Sequence, residues 1–83
     1  MSDSITQQAA DIPGTLLEWS RILLNDATVG PDDNFIDAGG HSLLAQKLSD
    51  SIREKYGVDL SFAVLFNESI ERVAEDLVAK VSA

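Results

Sequence analysis

Residues 39–57 read GGHSLLAQKLSDSIREKYG, and this stretch decides the fold class. After the glycine pair the apolar side chains recur with the period of an α-helix, so that they share one face. The residues of that face are Leu44, Ala45, Leu48, Ile52 and Tyr56. Gly57 stands where helices commonly end, because glycine adopts the left-handed backbone conformation without steric cost. The stretch predicts a helix over residues 42–56, preceded by an exposed turn.

A second helical pattern precedes this stretch. Its apolar stripe consists of Leu16, Trp19 and Leu23, widened by Leu17 and Leu24. Two starts compete for this helix: Asp11 with Pro13 just inside, and Thr15 with Glu18 as a capping box. The residues do not decide between them. The helix is expected to end near Asn25, and residues 1–10 are expected to form a flexible N-terminus.

Two more helices are predicted after Gly57. Residues 58–60 read as a short extended stretch, and residues 61–66 as a helix of one to two turns. The last helix starts after Ser69, a good N-cap, and has Glu71 in its first turn. Its apolar stripe consists of Ile70, Val73, Ala74, Leu77, Val78 and Val81. No strand alternation competes, so the expected fold is all-α: a four-helix bundle of three longer helices and one short helix, in a single domain over residues 11–83.

The connection over residues 26–41 is too long for a simple turn, and long loops in small domains are often functional. The apolar residues available to hold it against the core are Val29, Phe35 and Ile36. Asp33 and Asp37 are interpreted as caps that organise the loop. Together with Asp32 they lack the D-x-[DN]-x-[DN]-G spacing of a calcium site, so no metal site is expected.

Length and charge exclude several classes of function. The chain has 83 residues, which is too short to form both a core and a deep substrate pocket, so we do not expect an enzyme. It carries 14 Asp and Glu against six Lys and Arg, whereas binding to nucleic acid requires a basic face. The apolar runs are too short to span a membrane, and the absence of cysteine and of a signal peptide favours the cytoplasm.

Ser42 is the residue on which a function depends, and four interpretations of it remain open from the residues alone. It is favourable as the N-cap of the predicted helix. As a hydrolase nucleophile it is disfavoured, because the second glycine of G-x-S-x-G is missing and the adjacent His41 cannot easily act as its base. It could be phosphorylated by a kinase. It could also anchor a phosphate-linked prosthetic group, since the amides and the dipole of a helix N-terminus favour a phosphate.

Residues 33–45 read DNFIDAGGHSLLA and resemble the core motif of peptidyl carrier proteins. These are the thiolation domains of nonribosomal peptide synthetases, within the acyl carrier protein-like family, in which a D-x-F-F-x-x-G-G-x-S-L run begins the second helix of a four-helix bundle. The resemblance covers about residues 16–81. Two positions depart from the family pattern: Ala38 stands where leucine is common, and Glu68 where proline is usual. Neither departure touches the serine.

This resemblance implies a non-catalytic carrier domain with no catalytic residue of its own. Ser42 would carry a covalent 4'-phosphopantetheine arm, added from coenzyme A by a phosphopantetheinyl transferase. The thiol of the arm would hold aminoacyl, peptidyl or acyl intermediates as thioesters. The implied partners are an adenylating or acylating loading enzyme and downstream condensing, tailoring or releasing enzymes of peptide antibiotic biosynthesis. The carrier itself is expected to be a monomer.

Docking residues are expected next to the serine. The helical neighbours of Leu43 are Gln46, Lys47 and Asp50. This spacing places Leu43 on the polar face of the predicted helix rather than in the core. We therefore interpret Leu43, together with His41 and Gly40, as a contact for partner enzymes.

Two alternatives to the peptidyl carrier are kept. The first is an acyl carrier protein of fatty acid or polyketide synthesis, but these usually have aspartate at the position of His41, which favours the peptidyl branch. The second is an unmodified helical interaction domain in which Ser42 is only an N-cap. The chain is expected to be either a free-standing carrier, since it begins with Met1, or a domain excised from a longer chain.

Overall fold

The computed structural model describes the backbone from Ser2 to Ser82 and the side chains from Ala9 to Ser82. Its four helices are α1 (Ser2–Leu24), α2 (Ser42–Tyr56), α3 (Phe62–Asn67) and α4 (Ile70–Ser82). No strand occurs among the described residues. The expected all-α, acyl carrier protein-like bundle of three longer helices and one short helix is therefore confirmed.

Both predicted starts of α1 are wrong, because the helix already begins at Ser2. Ala9 and Ile12 lie on the buried face of Leu16 and continue that face towards the N-terminus. Thr15 and Asp11 lie one turn apart inside the helix, where the Thr15 hydroxyl donates to the Asp11 carboxylate at 2.9 Å. This hydrogen bond and the nearby Lys55 ammonium hold the pKa of Asp11 below its usual range.

The flexible N-terminus over residues 1–10 stays a prediction. Met1 and the side chains of residues 2–8 lie outside the part of the chain that the structure describes. The single domain over residues 11–83 also stays a prediction.

The buried face of α1 contains a polar residue that the apolar pattern did not predict. Ser20 is fully buried, and its hydroxyl donates to the Leu16 carbonyl at 2.7 Å. This bond satisfies the hydroxyl inside the core, so that serine takes a position where an apolar residue was expected. Trp19 and Leu23, by contrast, are only partly buried. The helix ends at Leu24, as expected, and Asn25 follows with a φ of 53°.

The core lies where α1 packs against α4 and α2, and where α3 packs against α4. The buried apolar residues of this core are Ile12, Leu16, Val29, Phe35, Ala45, Leu48, Ile52, Leu60, Leu65, Ile70, Val73, Ala74 and Leu77. Leu48 is fully buried, as predicted, whereas Leu44 is only partly buried at the edge of the cluster. None of the described helices is both long and apolar enough to cross a membrane.

The C-terminus of α2 and the N-terminus of α4 follow the predicted local signals, whereas α3 begins one residue later than predicted, with Ser61 as its N-cap. Gly57 terminates α2 in the left-handed conformation, with φ of 73°, and its N–H donates to the Arg53 carbonyl at 2.9 Å. The Ser61 hydroxyl accepts a hydrogen bond from the Val64 N–H and caps α3. The Ser69 hydroxyl accepts from the Arg72 N–H at 3.3 Å and caps α4. Each of these interactions fixes one end of a helix through residues that are close in sequence.

Candidate functional site

The connection between α1 and α2 is held to the bundle by the apolar residues predicted for that purpose. Val29 and Phe35 are buried, and Ile36 is partly buried against the core. Near its start, the Thr28 hydroxyl and N–H donate to the Asp26 carboxylate at 2.6 and 2.9 Å. The hydroxyl bond is the main reason why the pKa of Asp26 lies below its usual range. The connection therefore has a defined path despite its length.

Backbone hydrogen bonds also fasten this connection to the first turn of α4. The Ile70 N–H donates to the Asp33 carbonyl at 2.8 Å, and the Glu71 N–H donates to the Pro31 carbonyl at 2.9 Å. Two donors that α4 cannot satisfy internally thus find partners in a segment that lies far away in sequence. The connection is consequently part of the bundle rather than a loop that extends into solvent.

Of the two acids interpreted as loop-organising caps, Asp33 has this role and Asp37 does not. The Asp33 carboxylate accepts the Gly30 N–H at 2.8 Å, which closes a turn. Asp37 is exposed, and within the described residues its carboxylate accepts no hydrogen bond. The organising side chain in its place is Asn34, whose Oδ1 accepts the N–H groups of Ile36 and Asp37, both at 2.9 Å.

Gly40 ends the turn that leads to α2, and it packs directly on Phe35. Its N–H donates to the Phe35 carbonyl at 2.9 Å. A Cβ at Gly40 would lie 2.4 Å from Phe35 Cδ2 and 2.7 Å from the Phe35 carbonyl oxygen. Gly40 is buried, so any part that it takes in docking, which stays a prediction, would come from the shape that it gives the turn.

Ser42 is the first residue of α2 and not its N-cap, which corrects one of the four interpretations of this serine. The N-cap is His41, with φ of −129° and ψ of 179°, and its side chain makes no capping hydrogen bond. The helix begins with the Ala45 N–H donating to the His41 carbonyl at 2.8 Å. The Ser42 side chain is exposed, and no hydrogen bond to its hydroxyl is formed among the described residues.

The start of α2 is electrostatically suited to a phosphate. The first backbone N–H groups of a helix have no acceptor within the helix, and the helix dipole places a partial positive charge there. α2 has no acidic residue in its first turn that would occupy these donors. A phosphate ester on Ser42 would lie beside them, which is a favourable position for an anion.

An apolar depression of about 310 Å³ adjoins Ser42. Its lining residues are Ile36, Gly40, His41, Ser42 and Phe66. Phe66 comes from α3 and is 47% exposed, and its ring lies 5.9 Å from that of Phe62. Leu43 is 60% exposed, which confirms its predicted place on the polar face of α2. The surface around the serine is therefore apolar on a chain of high negative charge.

Two residues of this site were not found from the sequence. Asn34 could have been noticed as a turn former, since asparagine side chains often bond the backbone two residues later. Phe66 gives no such signal, because it lies 24 positions after Ser42 and is brought to it only by packing of α3. Within the described residues, no three His or acidic side chains come together in a way that could hold a metal ion.

Comparison with known proteins gives a family match and several relatives. The family described as the phosphopantetheine attachment site matches residues 16–77. A dimodular nonribosomal peptide synthase of Bacillus subtilis is 52% identical over 69 residues, which cover 81% of this chain and 3% of that protein. A phosphinothricin tripeptide synthetase of Streptomyces viridochromogenes is 39% identical over 66 residues, covering 72% of this chain and 6% of the relative.

A third relative carries a different name. The large subunit of an L-2-aminoadipate reductase of Penicillium chrysogenum is 36% identical over 69 residues, which cover 78% of this chain and 5% of the reductase. The chain thus spans only a few per cent of the length of these curated relatives.

Proposed function

The chain belongs to the phosphopantetheine attachment site family, and on that premise we propose that Ser42 is its attachment residue and that the domain shuttles thioester intermediates between partner enzymes. Domains of this family bear covalent 4'-phosphopantetheine, and the resemblance to thiolation domains of nonribosomal peptide synthetases is confirmed. The proposal adds to this family membership the attachment residue, the cargo and the partners.

The observation that carries this proposal is an exposed hydroxyl, to which no described residue forms a hydrogen bond, beside the first N–H groups of a helix. Ser42 lies within the matched residues 16–77, and only His41 separates it from the glycine pair. No competing hydrogen bond to another described residue has to be broken before its oxygen can react. Its position at the first helical residue places the resulting phosphodiester next to the donors of the first turn of α2.

The chemistry of attachment requires one oxygen from this chain. Ser42 Oγ forms a bond to the phosphorus next to the pantetheine portion of coenzyme A, while the bond from that phosphorus to the bridging oxygen breaks and adenosine 3',5'-bisphosphate leaves. The hydroxyl proton passes to a base of the transferase. The chain's only histidine, His41, is the N-cap directly before Ser42, and a residue adjacent in sequence cannot easily act as the base for that hydroxyl. The attached group supplies a thiol, which the chain lacks because it has no cysteine.

We propose that the domain performs no reaction itself and that other enzymes load and unload it. Among the described residues, no base held by a third group lies near Ser42, as a serine nucleophile would require. A transferase, a loading enzyme and condensing, tailoring or releasing enzymes would act on it in turn. The peptide synthetase names of two relatives favour the nonribosomal peptide branch, whereas the reductase name shows that related domains also occur in other proteins. The cytoplasmic location and the monomeric state stay predictions.

The test is incubation of the protein with coenzyme A and a phosphopantetheinyl transferase of broad specificity, followed by intact mass spectrometry. We expect complete conversion to a single phosphopantetheine adduct, and fragmentation of the peptide that contains residues 39–53 should locate the adduct on Ser42. An unchanged mass would contradict the proposal and support the unmodified interaction domain. An adduct on a different residue would overturn the assignment of Ser42.

Changing Leu43 to glutamate tests the docking surface. Because Leu43 is 60% exposed, the substitution should leave the helix content and the melting temperature nearly unchanged. It should raise the KM of the transferase for the carrier about tenfold, since it places a charge on an apolar contact beside the reacting serine. Steady-state kinetics at varied carrier concentration measures this effect.

Ile22→Glu is the matched control for Leu43→Glu. Ile22 is 67% exposed on α1, so the substitution makes the same chemical change on another helix. We expect a KM close to that of the unchanged protein. Equal effects of both substitutions would mean that the added negative charge, and not the loss of a contact at Leu43, slows the transferase.

A further inference from the structure

Asn34 connects two parts of the molecule that are far apart in sequence. Its Nδ2 group lies 2.8 Å from the Glu68 carbonyl oxygen and 3.2 Å from those of Leu65 and Phe66. An amide group has two hydrogens, so these three carbonyls share them. The carbonyls belong to the last turn and the end of α3, where a helix has acceptors without internal partners. The Asn34 side chain therefore caps the C-terminus of α3 from outside the helix.

The oxygen of the same side-chain amide holds the turn before Ser42. Asn34 Oδ1 accepts the N–H groups of Ile36 and Asp37, both at 2.9 Å. The Asn34 backbone carbonyl also accepts the Ala38 N–H at 2.9 Å. One side chain thus fixes the turn that leads to α2 and, at the same time, the end of α3.

These bonds join the two walls of the depression beside Ser42. One wall contains Ile36, whose N–H is bonded to Asn34 Oδ1, and the other contains Phe66, whose carbonyl is bonded to Asn34 Nδ2. Without Asn34 the two walls would still be attached to the bundle, but no described side-chain hydrogen bond would link them directly. Their separation would then depend on packing and on the backbone hydrogen bonds between the connection and the first turn of α4.

We propose that Asn34 is a positioning residue for modification at Ser42, which it serves by holding Phe66 of α3 at a fixed distance from the turn before the serine. The inference rests on the proposed function of Ser42. A transferase that contacts the surface around the serine meets Leu43, Ile36 and Phe66 as one surface only while both walls keep this arrangement. The expected consequence of losing Asn34 is therefore weaker recognition, with the reacting oxygen unchanged.

Only an amide can make both sets of bonds. Asparagine offers donors and an acceptor on one short side chain, whereas an ionised aspartate offers acceptors alone. In Asn34→Asp the bonds to the turn can persist, but a carboxylate oxygen replaces Nδ2 and faces three carbonyl oxygens at about the same distances. Repulsion should release the end of α3 while the turn stays closed.

The bundle should survive this change because other contacts hold the connection. Phe35 and Val29 remain buried, and the Asp33 and Pro31 carbonyls still accept the first N–H groups of α4. Asn34→Ala serves as a second variant that removes both sets of bonds without adding a charge. Circular dichroism at the assay temperature establishes that each variant is folded before kinetics are measured.

The experiment compares transferase kinetics of Asn34→Asp with those of Asn67→Asp. Asn67 makes a suitable control because its Nδ2 donates to the Ala63 carbonyl at 2.8 Å within α3 and does not reach the turn. We expect the KM for the carrier to rise about fivefold or more in Asn34→Asp with kcat within about twofold, and both constants to stay within about twofold in Asn67→Asp. Unchanged KM in folded Asn34→Asp and Asn34→Ala overturns the inference, as does an equal effect in the control.

A second measurement tests the route through Phe66. If Asn34 acts by placing this ring, Asn34→Ala and Phe66→Ala should combine to raise KM by less than the product of their separate effects. Effects that multiply would overturn this route. The amide NMR signal of Ser42 in the unmodified protein should also shift in Asn34→Asp but not in Asn67→Asp, and this readout needs no modification. A wild-type protein that is never modified contradicts the proposed function, whereas an unshifted signal contradicts the role of Asn34.

Discussion

Replacing Ser42 with alanine is expected to abolish phosphopantetheine attachment completely and to leave the fold intact. Alanine has no oxygen that can form the bond to phosphorus. The substitution costs little stability because no described residue forms a hydrogen bond to the Ser42 hydroxyl and because alanine is the most favourable residue in a helix. The change in the free energy of unfolding should stay within about 0.5 kcal/mol, as for an exposed surface position.

Intact mass spectrometry after incubation with coenzyme A and transferase measures the first effect, and thermal unfolding measures the second. Ser51→Ala is the matched control, because Ser51 is also an exposed serine of α2 and the Ser51→Ala protein should still be modified normally on Ser42. An adduct on Ser42→Ala would mean that another hydroxyl is the attachment point. A large loss of stability in Ser42→Ala would mean that the hydroxyl has a structural partner.

Gly40→Ala is expected to cause the largest loss of stability of the substitutions considered. The added Cβ would lie 2.4 and 2.5 Å from Phe35 Cδ2 and Cε2 and 2.7 Å from the Phe35 carbonyl oxygen. The ring is fully buried and the oxygen belongs to the backbone, so neither can move without disturbing the core or the turn. We expect a cost of about 3 kcal/mol, towards the upper end for overpacking. This is a large share of the roughly 5–15 kcal/mol that stabilises a typical domain.

The melting temperature should fall by about 10–25 °C in Gly40→Ala, given the size of the domain. Gly30→Ala is the control in the same connection, because a Cβ at Gly30 would meet only Asp33 Oδ2 at 3.9 Å. Its melting temperature should change by no more than a few degrees. A similar small change in Gly40→Ala would show that the turn relaxes away from Phe35 at little cost.

The helices whose signals are local could be predicted from the sequence. The bounds of α2 follow from its apolar face and from Gly57, and the start of α4 follows from the Ser69 hydroxyl. The start of α1 could not be predicted in this way. Pro13 and the Thr15–Glu18 pair both resemble helix starts, but the helix continues past them because Ala9 and Ile12 extend its buried face.

In the candidate site, too, some features could be predicted from local sequence and others could not. The motif identified Ser42 as the candidate residue, and helical spacing predicted that Leu43 is exposed. The N-cap interpretation of Ser42 was wrong by one residue, because local preference for serine at an N-cap does not fix where the first helical hydrogen bond forms. The preceding residue, His41, supplies the first accepting carbonyl instead.

The sequence by itself determined the all-α bundle, the helix that Ser42 begins and the motif that contains Ser42. These features depend on residues within a few positions of one another, whose spacing is visible along the chain. Only the tertiary structure decided that Gly40 packs on the Phe35 ring, that Phe66 lies beside the serine and that Asn34 joins the turn to the end of α3. The reason is physical: these contacts join residues up to 34 positions apart, and their partners are chosen by how the helices pack and not by local preference.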